Sequence, residues 1–171
     1  MTRWLVPLVA ATVVVVDQAT KAVVVERLGP DAQHHRVDLV GTWLAFEYAE
    51  NRGVAFGLLR SFGSWVPVLA AAVLAAIIVA HARQPTHSAA LSVAVGLAVG
   101  GAAGNLVDRL RLGHVVDFVA VGPWPNFNVA DSAITVGVAT AAIWYVLSEA
   151  RRGGGPAERV ATRPDPGTGG R

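Results

Sequence analysis

The chain is 171 residues long, 53% hydrophobic and only 15% charged, with a formal net charge of +2. An ordinary globular domain carries about 25% charged residues, so this composition cannot cover a water-soluble surface; it also excludes a second large domain and disorder over the bulk of the chain. The absence of cysteine removes disulfides, thiolate metal sites and a cysteine nucleophile, and the Lys and Arg residues form no basic stripe interleaved with aromatics, so nucleic acid is not an expected partner.

Four apolar stretches follow one another: Trp4 to Val25, Phe62 to Ala80, Ala89 to Val107, and Ala130 to Leu147. Each has about the 17–25 residues that a helix needs to cross the hydrocarbon of a bilayer. The expected fold is therefore membrane α-helical, with four transmembrane helices. A secretory signal peptide is the rival reading of the first stretch. Arg3 alone is a thin basic region for that, however, and Asp17-Gln18-Ala19-Thr20-Lys21 is a poor cleavage site. Near the end of that stretch Asp17 and Lys21 stand four residues apart, on one helix face. They fit either an interfacial anchor, with Lys21 reaching the headgroups, or a role in a polar cavity.

Between the first two spans, Leu44, Phe46 and Tyr48 alternate with Ala45, Glu47 and Ala49. That period of two predicts a short strand with one apolar face. Arg83-Gln84-Pro85-Thr86-His87 reads as a tight turn, which makes the second and third spans antiparallel. The third span carries Gly96, Gly100 and Gly104 at four-residue intervals, a small-residue stripe that lets another backbone approach closely. It runs into Asn105, Asp108 and Arg109; Arg109 could pair with a carboxylate or a lipid phosphate.

Asp117 follows the third span and Asp131 opens the fourth. Each alone has a plain account: Asp117 as a solvated loop carboxylate, Asn128 as a helix cap with Asp131 in the first turn. Together, antiparallel third and fourth spans bring them to one membrane face. Two close carboxylates in a partly dry site share a proton near neutral pH. One can then deprotonate a water while the other polarises an amide carbonyl. A structural role and a transporter's proton relay are alternatives that the pattern leaves open. Beyond the fourth span the segment holds six Gly, three Pro and five Arg in 151–171; it is expected to be a disordered tail. Four spans put both termini on one side, and Arg151 and Arg152 mark it as cytoplasmic.

Four ordered blocks resemble the lipoprotein signal peptidase (signal peptidase II) family of bacterial membrane aspartic peptidases. They are Asp17-Gln18-Ala19-Thr20-Lys21; Asn51-Arg52-Gly53-Val54-Ala55-Phe56-Gly57; Gly100 to Arg109 continuing through Gly113-His114-Val115-Val116-Asp117-Phe118; and Phe127-Asn128-Val129-Ala130-Asp131. The resemblance implies a single peptidase domain over 1–150, with an extracytoplasmic β insertion over about 26–61 partly covering the site. It implies Asp117 and Asp131 as the catalytic dyad, with Asn51, Asn105, Arg109 and Asn128 positioning substrate and dyad. Asp17 and Lys21 would support the site, and Asp108 would be structural. The implied substrate is a prolipoprotein, cleaved on the amino side of its diacylglyceryl-modified cysteine at the outer face of the cytoplasmic (inner) membrane. Membrane lipids are the other expected partners. No cofactor or metal is implied, the five His forming no recognisable ligand cluster, and no oligomer is implied. Val54 departs from the small Ala more usual there. A small proton-coupled transporter and a non-catalytic membrane scaffold are the competing functions. The first predicts charges near mid-span and inverted repeats, whereas the later spans are uncharged at their middles; the second has no need of two carboxylates at one face.

Overall fold

The computed structural model describes residues 4–52, 79 and 88–153; the expected span 62–80 (all but residue 79), the turn at 83–87, positions 53–57 of the second motif block and most of the tail lie outside them. Among the described residues three helices are long and apolar enough to cross a membrane: α1 (Leu5–Leu28), α2 (Ala89–Leu112) and α3 (Val129–Gly153). Their surfaces are inverted relative to a water-soluble protein. Leu8, Val15 and Ile143 are 63%, 66% and 60% exposed, whereas Asp17 and Lys21 are 0% and 3% exposed. Such an arrangement is stable when the solvent outside is hydrocarbon.

Local sequence explains the helix ends. Pro7 sits in the first turn of α1, where an N–H has no intrahelical partner to lose. Ser88 caps α2 by accepting from the Leu91 N–H (3.1 Å), and Gly113 ends it in the left-handed region at φ 78°, a conformation glycine adopts without steric cost. α3 runs to Gly153, three residues into the segment expected to be disordered.

The helices pack through small residues. A methyl group added at Gly100 would meet the Ala10 carbonyl oxygen at 2.7 Å, and one at Gly104 would meet Asp17 Oδ2 at 2.6 Å. The stripe Gly96, Gly100 and Gly104 meets Val9, Ala10 and Asp17 in the same chain order, so α1 and α2 are parallel. On the other side of α2, Gly101 lies against Ala130 while Ala94 lies against Gly137, so α2 and α3 are antiparallel. The glycine stripe thus packs within one chain, and it brings the C-terminal ends of α1 and α2 beside the N-terminus of α3.

A four-stranded antiparallel sheet sits at that end, in the order β1 (Arg36–Val40), β2 (Leu44–Asn51), β3 (Val115–Val121) and β4 (Trp124–Phe127). The expected sheet in 26–61 is therefore only half of it, since β3 and β4 come from the connection between α2 and α3. The expected alternation on β2 is partly kept. Tyr48 packs on the core of Val24, Leu28, Val116 and Phe118, but Ala45 is fully buried and Phe46 is 39% exposed, lying edge-on to Phe118 with ring centroids 6.1 Å apart. An irregularity between Phe46 and Ala49 shifts the pairing with β3, as a β-bulge does.

Candidate active site

Asp117 lies within β3, with Ala49 as its cross-strand partner. Asn51 is two residues along β2 and therefore on the same face of the sheet. Its Nδ2 donates to Asp117 Oδ2 (2.9 Å). The other oxygen, Oδ1, accepts from Asn128 Nδ2 (2.7 Å). Asp117 is 2% exposed, and burial pushes its carboxyl up to about 6, helped by the neighbouring Asp131 and opposed by the Asn51 and Asn128 hydrogen bonds. The proton is held more tightly because a charged carboxylate there has lost its water.

Asp131 arrives from the start of α3. Asn128 precedes that helix, and the two residues bond reciprocally. The Asp131 N–H donates to Asn128 Oδ1 (2.9 Å) and the Asn128 N–H donates to Asp131 Oδ2 (3.3 Å), the pattern of a capping box. The expected cap is present, and the same asparagine also holds Asp117. Capping the helix and joining the two carboxyls are thus one side chain's work. Asp131 Oδ1 accepts from Asn105 Nδ2 (2.7 Å). Asn105 and Asn128 are themselves joined, Asn128 Nδ2 donating to Asn105 Oδ1 (3.1 Å).

The direction of these amides is fixed from below. Lys21 Nζ donates to Asn105 Oδ1 (3.0 Å), and an ammonium can only donate. Asn105 must therefore keep its oxygen toward Lys21 and its NH2 toward Asp131. Lys21 also pairs with Asp17 Oδ2 (2.8 Å) and Asp108 Oδ2 (2.9 Å). The expected i,i+4 pair is present, but the lysine turns inward and is not an interfacial anchor. Asp17 Oδ1 accepts from the Ala130 N–H (2.9 Å), a donor of the first turn of α3 with no intrahelical acceptor. Asp108 Oδ2 accepts from the Val116 N–H (3.1 Å), tying α2 to the strand that carries Asp117.

Eight of the nine residues singled out in the sequence, namely Asp17, Lys21, Asn51, Asn105, Asp108, Asp117, Asn128 and Asp131, form one hydrogen-bonded network. The ninth, Arg109, sits beside it. Its Nη1 donates to the Asn105 carbonyl (3.3 Å), and among the described residues it makes no ion pair with a carboxylate. Asp108, expected to be structural, pairs with Lys21 and ties α2 to β3. Gln18 stands in the first motif block with no role expected of it. Its Nε2 donates to Asp108 Oδ1 (2.8 Å) and reaches Asp17 Oδ2 and the Gly104 carbonyl (both 3.3 Å), and its place between Asp17 and Lys21 is the signal the sequence offers. Chemically, the arrangement presents two carboxyls at one end of the helices. One is buried and holds its proton toward neutral pH; both are held by amide donors on defined sides.

A family model described as signal peptidase (SPase) II matches residues 9–147. The chain is 42% identical over 146 residues to the lipoprotein signal peptidase of Symbiobacterium thermophilum, covering 82% of this chain and 93% of that one. It is 36% identical over 150 residues to that of Chlorobium phaeobacteroides, covering 81% and 93%. Among solved structures, a bacterial membrane enzyme determined by the in meso method superposes with a TM-score of 0.74 at 27% identity, covering 84% of this chain and 88% of that one. A second such structure gives 0.71 at 28% identity, with 81% and 90% covered.

Proposed function

Because this chain belongs to the signal peptidase II family, we propose that it removes signal peptides from prolipoproteins, cutting on the amino side of the diacylglyceryl-modified cysteine. Asp117 and Asp131 are the catalytic pair. The observation that carries this reading is the single network in which Asn128 bonds Asp117 and Asp131, while Asn105 bonds Asp131.

In the reaction Asp117 holds the proton, burial pushing its pKa up to about 6, and Asp131 acts as the base. Asp131 takes a proton from water as the water oxygen attacks the scissile carbonyl carbon. Asp117 donates to the carbonyl oxygen and stabilises the charge that develops there. The tetrahedral intermediate collapses with cleavage of the C–N bond, and the proton taken from water passes to the cysteine nitrogen. Asn51, Asn105 and Asn128 keep both carboxyls oriented, Lys21 fixes the Asn105 amide, Asp17 holds Lys21 and the start of α3, Asp108 anchors β3, and Arg109 is available to substrate or lipid.

The enzyme sits in the cytoplasmic membrane with both termini cytoplasmic and the sheet and dyad at the extracytoplasmic face. Parallel packing of α1 and α2 requires the chain between them to return across the bilayer. The apolar stretch 62–80 is long enough to do so, which completes four spans. A lipid-anchored cysteine would then deliver the scissile bond at the depth of the dyad.

The test is cleavage by the purified protein in lipid, with the product mapped by mass spectrometry. Cleavage of a diacylglyceryl-modified prolipoprotein immediately before the modified cysteine is expected, with none in the unmodified precursor. Equal cleavage of the unmodified precursor, or no cleavage of either, would overturn the substrate assignment.

A further inference from the structure

A second concavity lies away from the carboxylates. A groove of about 450 Å³ runs between the outer half of α1 and the sheet, lined by Thr20, Val23, Arg27, Val37, Phe46 and Phe118 among others. None of these residues belongs to the polar network. On α1, Val24 and Leu28 continue the Asp17–Lys21 stripe beyond the network, and Thr20, Val23 and Arg27 flank it on the groove side. On β3, Phe118 follows Asp117 and by strand alternation points to the other face. The groove therefore opens on the sheet face opposite the one that carries Asp117.

Its chemistry is one-sided. Phe118 is 5% exposed and forms part of the floor, while Val23 and Phe46 stay open at 57% and 39%. The Thr20 hydroxyl is occupied within its own helix, at the Val16 and Asp17 carbonyls (2.8 and 2.9 Å). That leaves the Arg27 guanidinium, which is exposed, lies in the last turn of α1 and has no ion-pair partner among the described residues. A long apolar wall with one cation at the membrane-surface end matches a molecule with a long apolar body and one anion at its end. A folded protein partner would need polar complements along the groove that the groove does not offer.

We propose that this groove is a binding site for a membrane glycerophospholipid, with one acyl chain between α1 and the sheet and the headgroup phosphate on Arg27. The lipid is a resident of the membrane and not the substrate, because the groove faces away from the carboxylates. An anionic headgroup with no compensating cation, such as phosphatidylglycerol, is preferred over a zwitterionic one, since Arg27 is the one charged residue among the described residues that line the groove.

The experiment uses the full chain in vesicles of equal phosphatidylglycerol and phosphatidylcholine, extracted into detergent and examined by native mass spectrometry. Wild type is expected to retain one phosphatidylglycerol per chain in preference to phosphatidylcholine, by about five- to tenfold, the worth of one Arg attracting a net anionic headgroup where the choline cation cancels the charge of the other. Arg27→Gln should lose the headgroup preference, and Val23→Trp, which fills the open side of the groove, should lose the retained lipid altogether. Melting temperatures close to wild type would show that both variants are folded. Retention in wild type without headgroup preference, or retention unchanged in Val23→Trp, would overturn the proposal. So would displacement of the lipid by a diacylglyceryl-modified peptide, which would make the groove part of the substrate site. Bound lipid is the readout, so failure here leaves the peptidase assignment untouched.

Discussion

In the proposed mechanism Asp117 couples stability and chemistry through one side chain. Its native pKa of about 6 lies above the ordinary 3.8, so the native state binds that proton more tightly than the unfolded chain does. Its contribution to stability is full below about pH 4 and is lost as pH rises through about 6, a change on the order of 2–3 kcal/mol. Thermal unfolding in detergent should therefore show stability falling across that window, and Asp117→Ala should lack the slope; an identical slope in the variant would refute the assignment. In the same window kcat/KM should decline with a one-proton dependence as pH rises through about 6, and a flat profile to about pH 9 would contradict Asp117 as the proton holder. Lys21 is the other decisive residue, because it pairs with two buried carboxylates and orients Asn105 at once. Lys21→Met should destabilise by about 3–5 kcal/mol, the cost of leaving a buried charge unpaired. A loss below about 1 kcal/mol, typical of an exposed pair, would show that the lysine is not buried as described. The sequence displays the i,i+4 spacing of Asp17 and Lys21 but not which way that face turns. That direction depends on α2 packing alongside, which local periodicity does not contain.

Between elements, the tightest dependence is that of α1 on α2. Gly104 faces the Asp17 carboxylate, so Gly104→Ala forces Asp17 away from both Lys21 and the Ala130 N–H. We expect a loss of about 1–3 kcal/mol in unfolding free energy, the usual cost of overpacking, together with reduced turnover; unchanged stability and turnover would mean that the helices can separate freely. The three described spans are legible in the sequence because apolar length alone specifies them. β3 is not, although Val115–Val121 is a β-branched run bounded by Gly113 and Gly122. Its partner β2 is more than about 60 residues away in sequence, and a strand formed by such distant pairing leaves little local trace beyond composition. The consequence reaches the site, since the β2–β3 register is what carries Asn51 to Asp117.

For the whole molecule, parallel α1 and α2 and antiparallel α3 put Trp4, Ser88 and Ala150 at one end and the sheet at the other. The lack of native cysteine makes the sidedness measurable by single substitutions. Trp43→Cys on the sheet should react with a membrane-impermeant thiol reagent in intact cells, while Trp4→Cys and Ala150→Cys should react only after permeabilisation; the reverse pattern would invert the proposed topology. The motif residues are legible as a set because four ordered blocks carry them, and the network joins eight of the nine. What the blocks do not contain is the hydrogen-bond direction, which starts at a lysine and ends at two carboxyls. The most direct test of that whole account is the single-turnover cleavage rate of a diacylglyceryl-modified prolipoprotein by wild type, Asp117→Asn and Asp131→Asn, each verified as folded. Each variant should lose at least about 10²–10⁴-fold in rate, and wild-type turnover in either one would contradict the assignment of the pair.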